Sequence, residues 1–222
     1  MRLGRFGRFA HGILMSVEVR DQLRGLYAVT QEDFLLPRLS AMVGAALRGG
    51  VRLVQYRNKL APPPLRRAQA AELLRICRAA GAKLIVNDDV ALALEIGADG
   101  AHIGREDGDP KAARTALGPQ RILGVSCYNE LARAEAAAAA GADYLAFGAV
   151  YASPTKPDAV HAPLSLLAEA KRFGLPIAAI GGITIGNAGS VIKAGADMLA
   201  VVTDLFDTMD ITARAVEYQD MF

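Results

Sequence analysis

The chain has 222 residues, of which 52% are apolar and 22% charged, and its formal net charge is +2. That composition excludes a disordered chain, and the charge gives no strong field for nucleic acid or a membrane surface, so any anionic ligand must be held by local groups. The length suits one domain of α/β-barrel size, which can bury roughly 70% of the surface its unfolded form exposes.

Residues 1–10 carry Arg2, Arg5 and Arg8 with no acid, and they lack the long apolar stretch of a secretory signal. Residues 1–24 are expected to be an N-terminal extension, a partly disordered tail, with Met15 as an alternative start. The barrel domain is expected over 25–222. Its first strand reads at 25–30 and its second at 51–55. A helix with proline near its first turn follows over 64–80. Short apolar runs at 84–86, 100–103 and 122–125 read as further strands. An Ala-, Glu- and Arg-rich helix spans 129–140. Next come a strand at 144–150, a helix at 164–173, a strand at 177–180, a helix at 185–194, a strand at 198–202 and a last helical segment from about 208. No apolar run approaches the ~18 residues that cross a bilayer. Cys77 and Cys127 form no spaced framework, so a reducing cytoplasm is the expected compartment.

Glycine punctuates this alternation. Gly49-Gly50, Gly81, Gly97, Gly118, Gly141, Gly174 and Gly195 each follow a helix-like segment and precede an apolar run. Glycine just past a helix end takes the left-handed conformation without a Cβ penalty. The apolar runs are continuous, as expected of parallel strands covered on both faces. Eight such units predict a closed (β/α)8 TIM barrel. An open doubly wound sheet is weaker, because no Gly-x-Gly-x-x-Gly turn follows the first strand.

The apolar runs end in polar or glycine-rich residues, and a barrel builds its active site at that rim. Asp88 and Asp107 each lie just past a strand. Two carboxylates beside a phosphate suit Mg²⁺, although either alone would serve as a helix N-cap. Gln55, Arg57 and Lys59 alternate, so they share a face if the strand runs that far. With Lys156 in the Pro-stiffened Ser153-Pro154-Thr155-Lys156-Pro157 loop they form a basic cluster for phosphate. Gly181-Gly182 and Val202-Thr203 follow the last two strands, where barrels often bind phosphate through backbone N–H groups. The rim thus offers two anion sites, one with metal and cations and one built mostly of backbone. No Ser–His or Cys–His pair is evident. His102 is expected to be packed and hydrogen-bonded, His161 to sit in an exposed loop, and Met42 and Met198 to be core. Cys127 could reach the rim beside Ser126, but nothing nearby predicts a reactive thiolate.

The ordered set Gln55-Tyr56-Arg57-Asn58-Lys59, Asn87-Asp88, His102 to Asp107, Gly124-Val125-Ser126, Ser153 to Asp158 and Gly181 to Thr184 resembles the thiamine-phosphate synthase family, over about residues 26–206. The resemblance implies coupling of a hydroxymethylpyrimidine pyrophosphate to a thiazole phosphate, with release of pyrophosphate. It implies Mg²⁺ on Asp88 and Asp107. It implies pyrimidine pyrophosphate on Gln55, Arg57, Lys59, Asn87, Ser126 and Lys156, with Arg57, Lys59, Lys156 and Ser126 carrying the catalysis. It implies thiazole phosphate on Ser153, Thr155, Gly182, Val202 and Thr203. The family commonly has Glu at the position of Asn58, Ser at that of Thr203 and Thr at that of Ser153, and Glu106 competes with Asp107 for the metal. The implied partners are these small molecules, with no nucleic acid or membrane, and a homo-oligomer is compatible. The alternatives are a thiazole tautomerase on the same barrel and a non-catalytic binder of thiamine phosphate.

Overall fold

The protein is described from a computed structural model covering residues 23–152 and 160–222. Eight parallel strands close in sequence order into a barrel: β1 (Gly25–Val29), β2 (Leu53–Tyr56), β3 (Lys83–Asn87), β4 (Gly100–Ile103), β5 (Ile122–Tyr128), β6 (Tyr144–Phe147), β7 (Ile177–Ile180) and β8 (Met198–Val201). The closing ladder sets Gly25 against Met198 and Ala28 against Val201. Helices α1 (Leu36–Arg48), α2 (Pro63–Ala79), α3 (Val90–Ile96), α4 (Pro110–Leu117), α5 (Leu131–Ala139), α6 (Ser165–Ala170) and α7 (Ile185–Lys193) follow the first seven strands. A short helix, α8 (Thr203–Phe206), and the longer α9 (Ile211–Gln219) follow β8. The predicted (β/α)8 barrel is the observed fold. Gly50, Gly81, Gly97, Gly118, Gly141, Gly174 and Gly195 all have positive φ at the predicted helix-to-strand turns.

Alternation along each strand sorts side chains into two cores. Leu26, Ala28, Val54 and Leu84 pack outward against the helices, while Tyr27, Val29, Leu53 and Ile85 point into the barrel. Leu23, Ile122, Tyr144, Ala146, Ala178, Met198 and Ala200 complete the inner cluster. Gly124 makes room there: a Cβ on it would lie 2.0 Å from the Tyr144 ring. The freed volume lets Tyr144 meet Tyr27 edge-on, with ring centroids 5.8 Å apart, and stack on His102 at 5.5 Å. Aromatic pairs favour both arrangements.

Some element ends differ from expectation for local reasons. β2 stops at Tyr56, because the Arg57 N–H turns to the Thr30 hydroxyl at 2.8 Å. β6 stops at Phe147, after which Gly148, Ala149 and Val150 donate to Tyr128, Val160 and Ile180 in non-strand geometry. β5 runs on to Tyr128, which places Cys127 in the outer core, fully buried, rather than at the rim. Burial pushes the thiols of Cys77 and Cys127 up to about 12. The last helical segment, α9, starts at Ile211, where the Asp210 carboxylate caps it through the Ala213 N–H at 2.9 Å, and the short α8 before it was not expected.

Gly124→Ala is expected to destabilise the barrel by about 1–3 kcal/mol or more, because the methyl group must displace a fully buried ring. A fall in the urea midpoint at constant slope would verify it; an unchanged midpoint would refute the packing argument.

Candidate active site

Toward the C-terminal ends of the strands the barrel interior turns polar. The Gln55 side-chain amide donates to the Tyr27 hydroxyl at 2.8 Å, and the two phenols of Tyr27 and Tyr144 bond at 2.8 Å. Tyr144 continues to His102 Nδ1 at 2.9 Å, and His102 Nε2 reaches Ser126 Oγ at 2.8 Å. Five residues from β1, β2, β4, β5 and β6 thus form one chain across the barrel. Burial pushes both phenols well above the usual tyrosine range. Burial also lowers His102 to about 4, against the opposing pull of the Asp88 charge. The imidazole is therefore neutral, with one donor and one acceptor nitrogen. His102 is packed and hydrogen-bonded as expected. Its bond to Ser126, and the part played by both tyrosines, escaped the sequence reading.

The loop after β2 holds the cations. Thr30 fixes Arg57 from both sides, accepting from its N–H at 2.8 Å and donating to its carbonyl at 3.0 Å. The Arg57 guanidinium meets Glu32 at 3.2 Å. β2 ends at Tyr56, so the side chains of 55, 57 and 59 do not lie on one continuing strand face, and Asn58 is buried. Its amide donates to the Asp33 carbonyl at 2.7 Å and to Gln69 Oε1 at 3.1 Å, and its oxygen accepts from Ala61 N at 3.1 Å. Gln69 also holds the Asp33 carbonyl, at 2.7 Å, and accepts from the Tyr56 hydroxyl at 2.8 Å. Asn58 is therefore a loop clamp and not the partner of Lys59. Lys59 reaches over to Asp88 at 2.6 Å.

Asp88 and Asp107 lie within hydrogen-bonding reach of each other. Asp88 has φ +64°, a left-handed conformation that Asp tolerates better than most residues, and its N–H is held by the His102 carbonyl at 2.7 Å. Asp107 accepts from the Gly104 N–H at 2.8 Å. Burial raises the Asp88 carboxyl, but its bonds to Lys59 and Asp107 outweigh this and hold it below the usual range. Burial and the Asp88 carboxylate together push Asp107 up. A carboxylate beside a like charge is raised in this way. Glu106 is exposed, and it is Asp107 that faces Asp88. Asn87, whose register partner is His102, ends β3 beside them.

Across the rim, Gly181 and Gly182 have φ of +104° and +60°. A Cβ on Gly182 would come within 2.5 Å of the Ala152 carbonyl, so the backbone passes there only without a side chain. Asn187 donates to the Gly182 carbonyl at 2.9 Å and closes a capping box with Thr184, which fixes the peptide's direction. Val202 precedes α8, and Thr203 opens it. The rim thus brings Gln55, Arg57, Lys59, Asn87, Asp88, Asp107 and Ser126 to one group of strand ends, and Gly182, Val202 and Thr203 to β7 and β8. Ser153, Thr155 and Lys156 lie outside the described residues, as does the expected extension up to residue 22. His161 is exposed as expected.

Asn58→Asp is expected to cost about 1–3 kcal/mol at neutral pH, because an ionised carboxylate has no donor for the Asp33 and Gln69 oxygens. Burial raises the pKa of the new carboxyl, so the deficit should shrink in acid, where it is protonated, and grow as pH rises through that pKa. Urea titrations of both proteins across pH check this; a pH-independent deficit would count against the clamp.

A family profile described as thiamine monophosphate synthase matches residues 26–205. The thiamine-phosphate synthase of Aromatoleum aromaticum is 55% identical over 202 residues, covering 90% of this chain and 97% of that protein. The thiamine-phosphate synthase of Azoarcus sp. is 52% identical over 203 residues, covering 91% and 98%. Among solved structures, the thiamine phosphate pyrophosphorylase of Pyrococcus furiosus superimposes with a TM-score of 0.82 at 33% identity, covering 91% of this chain and 96% of that one. A 3-hexulose-6-phosphate synthase shares the fold at TM-score 0.68 and 18% identity, covering 89% and 99%. A profile spanning most of the barrel and relatives at more than half identity, on top of the rim just described, place this chain in the thiamine monophosphate synthase family.

Proposed function

We propose that the protein couples a hydroxymethylpyrimidine pyrophosphate to a thiazole phosphate, giving thiamine phosphate and pyrophosphate. The observation that carries this reading is the convergence of Lys59, Asp88 and Asp107 with Gln55 and Ser126 at one rim. A tautomerase acting only on the thiazole would have no use for that acid–cation half.

The donor set fits Mg²⁺: two adjacent carboxylates that offer oxygen only. Asp88 and Asp107 would hold it, and when bound it would supply Lewis-acid neutralisation of pyrophosphate charge. Arg57, Lys59 and Lys156 would bind the pyrophosphate. Their charges are worth more as the pyrimidine CH₂–O bond breaks and the electron pair leaves with the phosphate. The aminopyrimidine stabilises the resulting cation, so no protein nucleophile is needed. Gln55, Asn87 and Ser126 would hold the ring in place. Ser153, Thr155 and the backbone around Gly182, Val202 and Thr203 would hold the thiazole phosphate, with the ring nitrogen facing that carbon. The nitrogen lone pair then forms the new C–N bond. Positioning and electrostatics supply the rate.

Purified protein given both substrates and Mg²⁺ is expected to release pyrophosphate, and either EDTA or omission of one substrate should stop it. No release under those conditions would defeat the reading. Asp88→Asn suits the same assay, because Asn also tolerates the left-handed backbone. A rate loss of at least about 100-fold, with the folded structure kept, is expected on loss of one member of such a charge-neutralising set; near-normal turnover would remove Asp88 from the metal site.

A further inference from the structure

Among the described residues only two non-glycines have positive φ, Asp88 at +64° and Tyr128 at +56°. Asp tolerates that conformation, but for a bulky aromatic it is strained, and such strain persists only where the surroundings enforce it. Asp88 carries one acid of the rim. Tyr128 grips the turn that carries the other. It ends β5, just past a register shift between Ser126 and Tyr128 in the β5–β6 ladder. Its hydroxyl accepts from the Arg105 N–H at 3.0 Å, while the preceding Gly104 N–H donates to the Asp107 carboxylate at 2.8 Å. Two consecutive N–H groups of the turn after β4 are thus held, one by a phenol from β5 and one by the acid itself. The two grips meet at Gly104. A Cβ there would lie 2.9 Å from Asp107 Oδ2 and 3.0 Å from the Tyr128 hydroxyl oxygen, so glycine lets both close in.

The ring is held in its turn. The guanidinium carbons of Arg105 and Arg133 lie over it, 4.9 and 5.8 Å from its centroid, within the range of cation–π attraction. Arg105 also pairs with Glu130, and Arg133 Nε donates to the Ser126 carbonyl at 2.7 Å, on the other side of the register shift. A bracket therefore runs from Ser126 through Arg133, Tyr128 and Arg105 to the turn of Asp107. We propose that Tyr128, braced by Arg105 and Arg133, is a positioning residue that sets the Asp107 carboxylate opposite Asp88 and so tunes how tightly the pair takes a divalent cation. The inference rests on the reading of those two acids as the metal site. Mg²⁺ demands near-ideal geometry, so an acid on a loose turn would have to be ordered as the ion arrives, and affinity would fall. A turn fixed beforehand avoids that loss, as outer groups that orient metal ligands do elsewhere. Tyr128 needs no contact with ion or substrate.

The test reads cation binding, with no substrate present and no turnover. Mn²⁺ suits the same oxygen donors, and its free fraction is counted by electron paramagnetic resonance. The full chain should bind Mn²⁺, and Asp107→Asn should weaken that binding by at least about tenfold. Tyr128→Phe keeps the ring beneath the guanidiniums and loses only the hydroxyl, so its Kd for Mn²⁺ should rise roughly 3–10-fold. Its calorimetric Kd for thiazole phosphate, a ligand of the opposite rim, should stay within about twofold. An unchanged Mn²⁺ affinity in Tyr128→Phe would overturn the positioning role and leave the metal reading intact, even if the urea midpoint fell. If Tyr128→Phe does not fold, Gly104→Ala decides. Its methyl group intrudes on the carboxylate and the phenol together, so Mn²⁺ affinity should fall by a similar factor, and an unchanged affinity would again overturn the role. A parent chain that binds no Mn²⁺ would overturn both the metal reading and this one.

Discussion

Everything at the rim depends on closure of the sheet. The ladder between β1 and β8 joins residues more than 170 positions apart, and without it the eight strand ends would not surround one space. Closure converts a repeated local pattern into a single cavity. Gln55 from β2 and Ser126 from β5 share one hydrogen-bonded chain only because the barrel brings the strands between them around a common axis. Such non-local pairing has an entropic cost of loop closure that must be met before the contacts reward it.

Along that axis the interior changes character. The floor is apolar, with Leu23, Ile122 and Met198 filling it. The middle is amphipathic: Tyr27 and Tyr144 give ring faces to the floor and hydroxyls to the layer above. The top is charged. This gradient keeps the acids and cations near solvent, where their desolvation is tolerable, and lets a neutral chain carry structure downward. Two sets of rim groups lie on different strands. One consists of side chains at the ends of β2 to β5, and the other of glycine backbone after β7 and the turn after β8.

Much of this was legible in the residues. The strand order, the glycine turns, and the presence of Lys59, Asp88 and Asp107 just past strands follow from rules that act within a few positions. Barrel order then does the rest. The buried chain was not legible, because its bonds join residues 28, 117, 42 and 24 positions apart, and no local pattern marks a tyrosine as an interior relay. Gly124 belongs to a rim motif, but its function is volume for a ring 20 residues on. Asn58 looked like a lost charge until its three bonds gave it a different task. Cys127 looked accessible because β5 was read three residues short, and one extra strand period carried it inward.

The two thiols have a use that follows from their placement. Both are buried in the outer core, on α2 and on β5, and both resist ionisation. A thiol reagent therefore finds little to react with on the closed barrel. Its reaction rate becomes a clock for how often the helix layer parts from the sheet, read without any added label. Because one thiol rides on a helix and the other on a strand, comparing their rates separates the peeling of α2 alone from the opening of the whole barrel.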